Sequence, residues 1–282
     1  MRMTLADVIR LVTPPAFIHL TKRLFSNRSG SAYGLSGDYH SWHEALATST
    51  GYDSEVILQK TKAALLEVKN GKAAYERDSV LFDKIQYSWP LLAGLLWVAA
   101  QSGGELNVLD FGGSLGSTYF QNRLFLSALA RVRWNIVEQP RYVEVGRALF
   151  ADDRLHFYFD LAGCLAQTQP NVALFSSVLQ YIEHPYAMLD RVLELPCDHL
   201  IIDRTPFWPG PTDRLCVQTV PPSIYPARYP CWVFSATRFR AYLGERWHVI
   251  AEFDSIDKMR APVRAVWQGF ILERTKPVRL RT

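Results

Sequence analysis

From Gly104 onward, short runs of apolar and β-branched residues alternate with segments of helical spacing. The apolar runs are VLDF, WNIVE, LHFYFD, NVALFSS and HLIIDR. A repeated β-α order predicts a parallel sheet joined by right-handed crossovers. Two later runs, WHVIAEFDS and VWQGFILER, have no clear helix between them and predict an antiparallel hairpin. The sequence therefore predicts an α/β fold, a Rossmann-like, seven-stranded and mostly parallel sheet with an antiparallel edge hairpin.

The first 103 residues lack this alternation and predict a helical N-terminal cap on the sheet. Helices are expected at 42–47, from an N-cap at Ser54 to Gly71, and from about Trp89 to Gln101. Residues 75–78 form a charged turn between two of these helices, at a place suited to a lid. The hydrophobic share of 49% and the charged share of 21% are those of a folded chain. The predicted parts are a helical region with a lid at 1–103 and a sheet domain at 104–282 with a Pro-rich insertion at about 205–235.

The stretch NVLDFGGSLGSTYF, residues 107–120, places three glycines directly after the first predicted strand of the sheet. Open α/β sheets bind ligands at the carboxyl ends of their strands, and glycine lets the backbone approach a ligand closely. No Lys follows Gly116, so the phosphate loop of nucleotide triphosphatases is excluded, and the spacing is out of register for G-x-G-x-x-G. S-adenosylmethionine remains as the candidate, with Asp110 suited to its amino-acid end.

Three successive predicted strands each end in an acid, at Asp110, Glu138 and Asp160. A carboxylate in the place of Glu138 can accept hydrogen bonds from both hydroxyls of a ribose. One in the place of Asp160 can accept from the amine of an adenine. We therefore predict that the three carboxylates converge on one adenosyl ligand.

Residues from about Tyr39 to Phe270 resemble class I S-adenosylmethionine-dependent methyltransferases, and more narrowly a family of small bacterial methyltransferases found among surface-polysaccharide genes. The stretches that carry the resemblance include SGDYHSWHEAL, YSWPLLAGLLW, VLDFGGSLGSTYFQNR, SSVLQYIEHP, IIDRTPF and YPARYPCWVFS. The resemblance implies a cofactor loop of Asp110, Gly112, Gly113 and Gly116 and a ribose ligand, Glu138. The sequence departs from the class pattern D-x-G-x-G-x-G at Ser114, whose hydroxyl could bond the methionine carboxylate.

The loop FSSVLQYIEHP follows the fourth predicted strand, at the sheet end nearest the expected methyl group. It offers Ser177 as a cofactor contact and Tyr181 and His184 as catalytic candidates. His184 is the best general base on its ordinary pKa. Its position before Pro185 equally fits the start of a helix.

The remaining candidates concern the acceptor and the lid. Arg204, at the end of the fifth predicted strand, could hold an anionic group of the acceptor. Tyr225, Arg228 and Tyr229 form an aromatic and basic set suited to stacking on a sugar or clasping a diphosphate. Tyr87 could face the sulfonium or the adenosine, because aromatic faces attract cations.

Charge and cysteine usage narrow the class of partner. The net charge is +4 and the basic residues are scattered, which argues against nucleic acid. The four cysteines never fall at C-x-x-C spacing, which argues against a metal site and for reduced thiols in the cytoplasm. No apolar run reaches the ~18 residues of a membrane span. The segments ADVIRLV and FIHLTKRLF predict amphipathic helices that either pack on the domain or contact a membrane surface.

The leading hypothesis is an S-adenosylmethionine-dependent methyltransferase that acts on the oxygen of a small-molecule acceptor, a sugar or a sugar-linked intermediate. The oxygen and the sugar rest on the family resemblance. Two alternatives stay open: an NAD-dependent oxidoreductase on a similar sheet, and a non-catalytic protein that keeps the cofactor site to order a partner enzyme.

Overall fold

The computed structural model describes residues 33–50, 55–244, 246–257 and 259–275. The predicted N-terminal helices and the N-cap at Ser54 lie outside these residues. In the part of the chain that the structure describes, no helix is both long and apolar enough to cross a membrane.

The described chain forms twelve strands and eight α-helices. The strands are β1 (Gly34–Tyr39), β2 (Tyr75–Arg77), β3 (Val80–Phe82), β4 (Glu105–Phe111), β5 (Arg131–Val137), β6 (Leu155–Tyr158), β7 (Val172–Ser176), β8 (His199–Trp208), β9 (Arg214–Thr219), β10 (Arg228–Ser235), β11 (Trp247–Asp254) and β12 (Val266–Arg274). The helices are α1 (Trp42–Ala47), α2 (Glu55–Lys69), α3 (Trp89–Gln101), α4 (Ser117–Leu126), α5 (Pro140–Leu149), α6 (Leu161–Leu165), α7 (Pro185–Leu193) and α8 (Ala236–Leu243).

Seven strands form the predicted core sheet in the order β6-β5-β4-β7-β8-β12-β11. The first five are parallel to their neighbours, and β12 is antiparallel to both β8 and β11. The central strands are buried on both faces, which explains why β7 is an unbroken apolar run from Val172 to Phe175. The Rossmann-like α/β fold and its antiparallel edge hairpin are confirmed.

The core sheet continues into an antiparallel extension that the sequence did not predict. The end of β8 pairs with β10 at Phe207 and Trp208, β10 pairs with β9, and β9 pairs with β1. The described sheet therefore has ten strands. The stretch predicted as a Pro-rich insertion supplies β9 and β10, and the 1–103 region supplies β1 as well as helices. Pro230 lies within β10 and Pro206 within the neighbouring strand β8, where proline is usually a sign against strand structure.

A bulge in β8 separates its two halves. The pairing with β12 shifts register between Ile202 and Thr205, and Arg204 between them has a φ of 56°. The side chains of Asp203 and Arg204 therefore enter the molecule at the carboxyl end of the parallel strands.

Strands β2 and β3 form a two-stranded hairpin in the region predicted as a charged turn. Asp78 and Ser79 turn the hairpin with φ values of 52° and 68°. The hydroxyls of Ser79 and Thr61 hydrogen-bond at 2.9 Å, which joins the hairpin to α2. The hairpin thus lies where the sequence predicted a lid.

Helices cover both faces of the core sheet. One hydrophobic cluster packs α2, α3, α4 and α5 on residues such as Val108, Trp134 and Ile201. A second cluster packs α6, α7 and α8 on the other face, around Phe175 and Phe270. All four cysteines are buried and unpaired.

Candidate active site

A cavity of about 1010 Å³ opens at the carboxyl ends of β4, β7 and β8. This is the ligand position of open α/β sheets. The wall includes the glycine loop after β4, the β2–β3 hairpin, the 3-10 helix at Leu179–Tyr181, and parts of β8, β9 and β10. Among the described residues, no group of His, Cys, Asp or Glu is arranged to hold a metal ion.

The glycine loop enters the cavity wall at Gly112, Gly113 and Ser114. Gly112, Ser114 and Gly116 have φ values of 68°, 55° and 104°, so Ser114 adopts a conformation that usually needs glycine. A side chain at Gly112 would overlap Val178. Glycine at 112 is therefore required by both backbone conformation and packing.

Asp110 lies beneath this loop and not on the cavity surface. It is 1% exposed, and its Oδ2 accepts a hydrogen bond from Trp134 Nε1 at 2.8 Å. A side chain at Gly113 would overlap its carboxyl group, so this glycine makes room for Asp110. Burial raises the pKa of Asp110 to about 7, with a smaller contribution from the nearby Glu138. Asp110 supports the loop from below, which corrects the expectation that its carboxylate meets the ligand directly.

Glu138 lies at the end of β5 against the same loop. Its Oε2 accepts from the N–H of Gln139 at 2.6 Å, and its carboxylate also accepts from the N–H of Ser114. Burial raises the pKa of Glu138 to about 7. Glu138, the residue predicted to bind the ribose, is thus hydrogen-bonded to the glycine loop.

Asp160, the third predicted acid, has a different position. It is exposed and forms the N-cap of α6, where its Oδ1 accepts from the N–H of Gly163 at 2.7 Å. The structure therefore brings Asp110 and Glu138 together and leaves Asp160 outside the described cavity wall. Its contact with an adenine stays a prediction.

Glu76 was not among the predicted site residues, yet it is a buried carboxylate in the cavity wall. It is 1% exposed, accepts from the N–H of Ser79 at 2.8 Å and accepts from the hydroxyl of Ser117 at the start of α4. Burial raises the pKa of Glu76 to about 7, against these hydrogen bonds. Asp110, Glu138 and Glu76 lie around the glycine loop, and we call this group the carboxylate side of the cavity. Of the three, Glu76 is in the described wall, and Asp110 and Glu138 lie behind the loop.

Arg204 is already bound by protein carboxylates. Its Nε lies 2.5 Å from Asp257 Oδ2, and its Nη2 lies 2.6 Å from Asp78 Oδ2 on the hairpin. Burial opposes the charge of Arg204, but the two carboxylates outweigh it and raise the pKa of the guanidinium. Arg204 lines the cavity with its Nε and Nη2 bound to these two aspartates, and its contact with an anionic acceptor stays a prediction.

Asp203 precedes Arg204 and also lines the cavity. It is buried, and its Oδ1 accepts from the hydroxyl of Ser255 at 2.7 Å and from the N–H of Arg204 at 2.8 Å. Its Oδ2 accepts from the hydroxyl of Ser88 at 3.3 Å. Burial raises the pKa of Asp203, and these hydrogen bonds oppose the shift. The sequence offers no signal for this carboxylate beyond its place at the end of a strand.

The opposite wall of the cavity is aromatic. Tyr181 donates to Gln218 Oε1 at 2.7 Å, Gln218 Nε2 donates to Tyr229 Oη at 3.3 Å, and Tyr229 hydrogen-bonds Tyr225. Burial raises the pKa of the Tyr181 phenol well above its ordinary value. We call these four residues the tyrosine side of the cavity. Tyr225 and Tyr229 were predicted to act together, and the structure adds Tyr181 and Gln218 to them.

Four further candidates divide between the wall and the surface. Ser177 lines the cavity with a φ of 57°. The side chain of His184 is 78% exposed, because Pro185 starts α7 and directs the preceding residue outward. His184 is therefore not placed to act as the base in this geometry. Tyr87 packs on Trp89 and Phe125 outside the described wall, and Arg228 is exposed.

Comparison with known proteins finds solved structures that are similar to this chain but no matching family. No family model and no curated protein matches the chain. The N-terminal domain of EvdMO1, solved in the presence of SAH and D-fucose, is similar at 13% identity and a TM-score of 0.46, over 77% of this chain and 97% of that one. Magnesium protoporphyrin IX methyltransferase from Synechocystis PCC 6803 with bound SAH is similar at 15% identity and 0.44, over 66% and 83%. The 1,6-didemethyltoxoflavin-N1-methyltransferase of Burkholderia thailandensis is similar at 12% and 0.41, over 86% and 94%.

Proposed function

We propose that this chain is an S-adenosylmethionine-dependent methyltransferase that acts on an oxygen of a sugar or sugar-linked small molecule. The observation that carries the proposal is the glycine loop after β4, which opens on the cavity and is tied to Asp110 below and to Glu138 on the neighbouring strand. The sugar and the bacterial polysaccharide setting rest on the family resemblance of the sequence.

The donors and acceptors of the carboxylate side suit an adenosyl amino acid. The loop turns its backbone toward the cavity at Gly112, Gly113 and Ser114, and Glu138 offers a carboxylate at the next strand end. A ligand with positive charge would stabilise the ionised forms of these buried acids, whose pKa values are raised in its absence. S-adenosylmethionine, when bound, supplies a methyl group on a positively charged sulfur.

The volume of the cavity suits two ligands at once. Pockets for single small molecules span roughly 300–1,000 Å³, and this cavity is at the upper end of that range. Tyr181, Tyr225 and Tyr229 give the second half of the cavity flat apolar faces with hydroxyl groups at their edges. Such a wall fits a hydroxyl-rich acceptor.

A hydroxyl acceptor must lose its proton during methyl transfer. Asp203 lies in the wall beside the bulge in β8, where the parallel pairing with β7 ends, and burial raises its pKa. Tyr181 keeps its proton at neutral pH and donates it to Gln218, so its Oη can accept a hydrogen bond from a hydroxyl of the acceptor. We assign the base to Asp203 in place of His184, and positioning of the acceptor to Tyr181.

The first test is a binding comparison by isothermal titration calorimetry with S-adenosylhomocysteine and NAD. We expect binding of S-adenosylhomocysteine alone, and a preference for NAD would overturn the proposal in favour of an oxidoreductase. Transfer of a labelled methyl group to members of a saccharide panel, lost in Asp203→Asn, would then support catalysis. Binding without transfer to any acceptor would instead favour a non-catalytic partner protein.

The four unpaired, buried cysteines support a reducing compartment such as the cytoplasm. Contact of the predicted amphipathic segments ADVIRLV and FIHLTKRLF with a membrane surface stays a prediction on residues outside the described range.

A further inference from the structure

Arg77, on the hairpin strand β2, has a buried donor that the described protein does not satisfy. Its side chain lines the cavity, and its guanidinium lies over the ring of Phe82 at 5.4 Å from the centroid. Its Nη1 is buried and has no hydrogen-bond partner among the described residues. A guanidinium held in place by a ring, with one nitrogen lacking an acceptor, is suited to bind an anionic group.

The acids nearest to Arg77 in sequence are engaged elsewhere. Asp78 pairs with Arg204, which Asp257 binds from the other side. Glu76 accepts from Ser79 and Ser117. These carboxylates therefore do not accept from Nη1 of Arg77, whereas Asp78 and Asp257 neutralise the charge of Arg204 within the wall.

We propose that Arg77 binds a carboxylate of a ligand in the cavity. The planar guanidinium matches a carboxylate through two parallel hydrogen bonds, and the apolar ring beneath it keeps water from one face. The inference rests on the proposed function, under which two ligands could supply the carboxylate: the amino-acid end of the cofactor, or an acidic sugar such as a uronate as the acceptor.

The first arm of the test measures affinity for S-adenosylhomocysteine and for 5′-methylthioadenosine, which lacks the amino-acid end. The proteins are wild type, Arg77→Gln, Arg77→Lys and the matched control Arg123→Gln. Arg123 lies over Phe120 at 5.4 Å, the same distance as Arg77 over Phe82, but it is exposed and outside the described wall. The control therefore removes an equivalent ring contact without touching the cavity. A thermal melt shows that each variant is folded.

If the cofactor supplies the carboxylate, Arg77→Gln lowers the affinity for S-adenosylhomocysteine by roughly ten- to a hundredfold and leaves the affinity for 5′-methylthioadenosine unchanged. Arg77→Lys keeps the charge and should retain part of the affinity. Arg123→Gln should bind both nucleosides as the wild type does.

The second arm titrates D-glucuronate and D-glucose into protein saturated with S-adenosylhomocysteine. If the acceptor supplies the carboxylate, the wild type prefers glucuronate and Arg77→Gln loses this preference. The assignment is overturned if Arg77→Gln matches Arg123→Gln with all four probes. A wild-type chain that binds neither nucleoside would overturn the proposed function, and the Arg77 assignment with it.

Discussion

The two sides of the cavity are built on different parts of the fold. The carboxylate side stands on the parallel half of the sheet and on the hairpin. Its acids are the buried Asp110 and Glu76 and the half-buried Glu138, and desolvation raises the pKa of each. The tyrosine side stands largely on the antiparallel extension, and Tyr181, Gln218 and Tyr229 satisfy one another through hydrogen bonds. Desolvation disfavours the ionised forms of the acids on the carboxylate side. The polar groups of the tyrosine side instead hydrogen-bond one another.

This difference indicates a division of labour. Buried acids that prefer a positive neighbour are suited to a cationic cofactor that binds in the same way in every turnover. Neutral hydroxyls around aromatic faces are suited to select an acceptor by shape. Substitutions on the carboxylate side should therefore change cofactor binding, and those on the tyrosine side should change acceptor use.

The largest expected effect is on the loop that supports the carboxylate side. Gly112→Ala should lower the free energy of unfolding by about 3 kcal/mol or more, because it adds a clash with Val178 to a strained backbone. Gly71→Ala is the matched control: its φ of 74° is close to the 68° of Gly112, but an added Cβ meets no described atom within 4 Å. Gly71→Ala should cost only about 1 kcal/mol in urea denaturation. Equal losses would show that the clash is relieved by movement of Val178.

The same contrast decides how much of the fold the sequence could predict. The parallel strands are largely buried on both faces and are separated by helices, so they are mostly apolar, and β7 is an unbroken apolar run from Val172 to Phe175. The extension strand β10 carries a proline at 230, and the extension strands pair across long sequence distances, as β1 does with β9. Nothing local in residues 34–39 indicates that they become an edge strand beside residues 215–219.

The second prediction concerns the pH dependence of stability. Burial raises the pKa of Glu76 from 4.5 to about 7, so between these values the folded state keeps a proton that the unfolded state has lost. This contribution to stability is complete below about pH 4.5 and is lost as the pH rises through about 7. Glu76→Gln removes the titration, so the difference in unfolding free energy between wild type and variant should change by roughly 2–3 kcal/mol from pH 4.5 to pH 8.

Urea denaturation at several pH values measures this change. Glu144→Gln is the control, because Glu144 is exposed on α5. A pH dependence for Glu76→Gln no larger than that for Glu144→Gln would mean that the pKa of Glu76 is not raised, and the carboxylate side would not be strained.

A smaller effect separates two acids at neighbouring strand ends. Glu138→Gln should lower the affinity for S-adenosylhomocysteine by about tenfold, because Glu138 is hydrogen-bonded to the glycine loop. Asp160→Asn should change the affinity by no more than about threefold, since Asp160 is exposed and Asn also caps helices well. Calorimetry with both variants measures the two effects. A tenfold loss in Asp160→Asn would restore the predicted adenine contact.

The site shows why strand-end positions predict less than strands do. A residue at the end of a strand is certain to be near the ligand edge, but its side chain can point into the cavity, into the core or to water. Asp203, Asp110 and Asp160 take these three directions in turn. Glu76 could not be predicted at all, because only the folding of the hairpin onto α4 brings it to the loop.

The smallest expected effect tests the tyrosine side. Tyr181→Phe removes the hydrogen bond to Gln218 and should lower the free energy of unfolding by about 1 kcal/mol. Tyr186→Phe is the matched control, because it removes a hydrogen bond to Asp213 at 3.0 Å outside the described cavity wall. Neither hydroxyl belongs to the carboxylate side, so both variants should bind S-adenosylhomocysteine within about twofold of the wild type. A twofold change in affinity is well below the free energy of one hydrogen bond. Only Tyr181→Phe should lower the rate of methyl transfer to the acceptor. A loss of cofactor affinity in Tyr181→Phe would mean that the two sides act as one site, and the division of labour would fail.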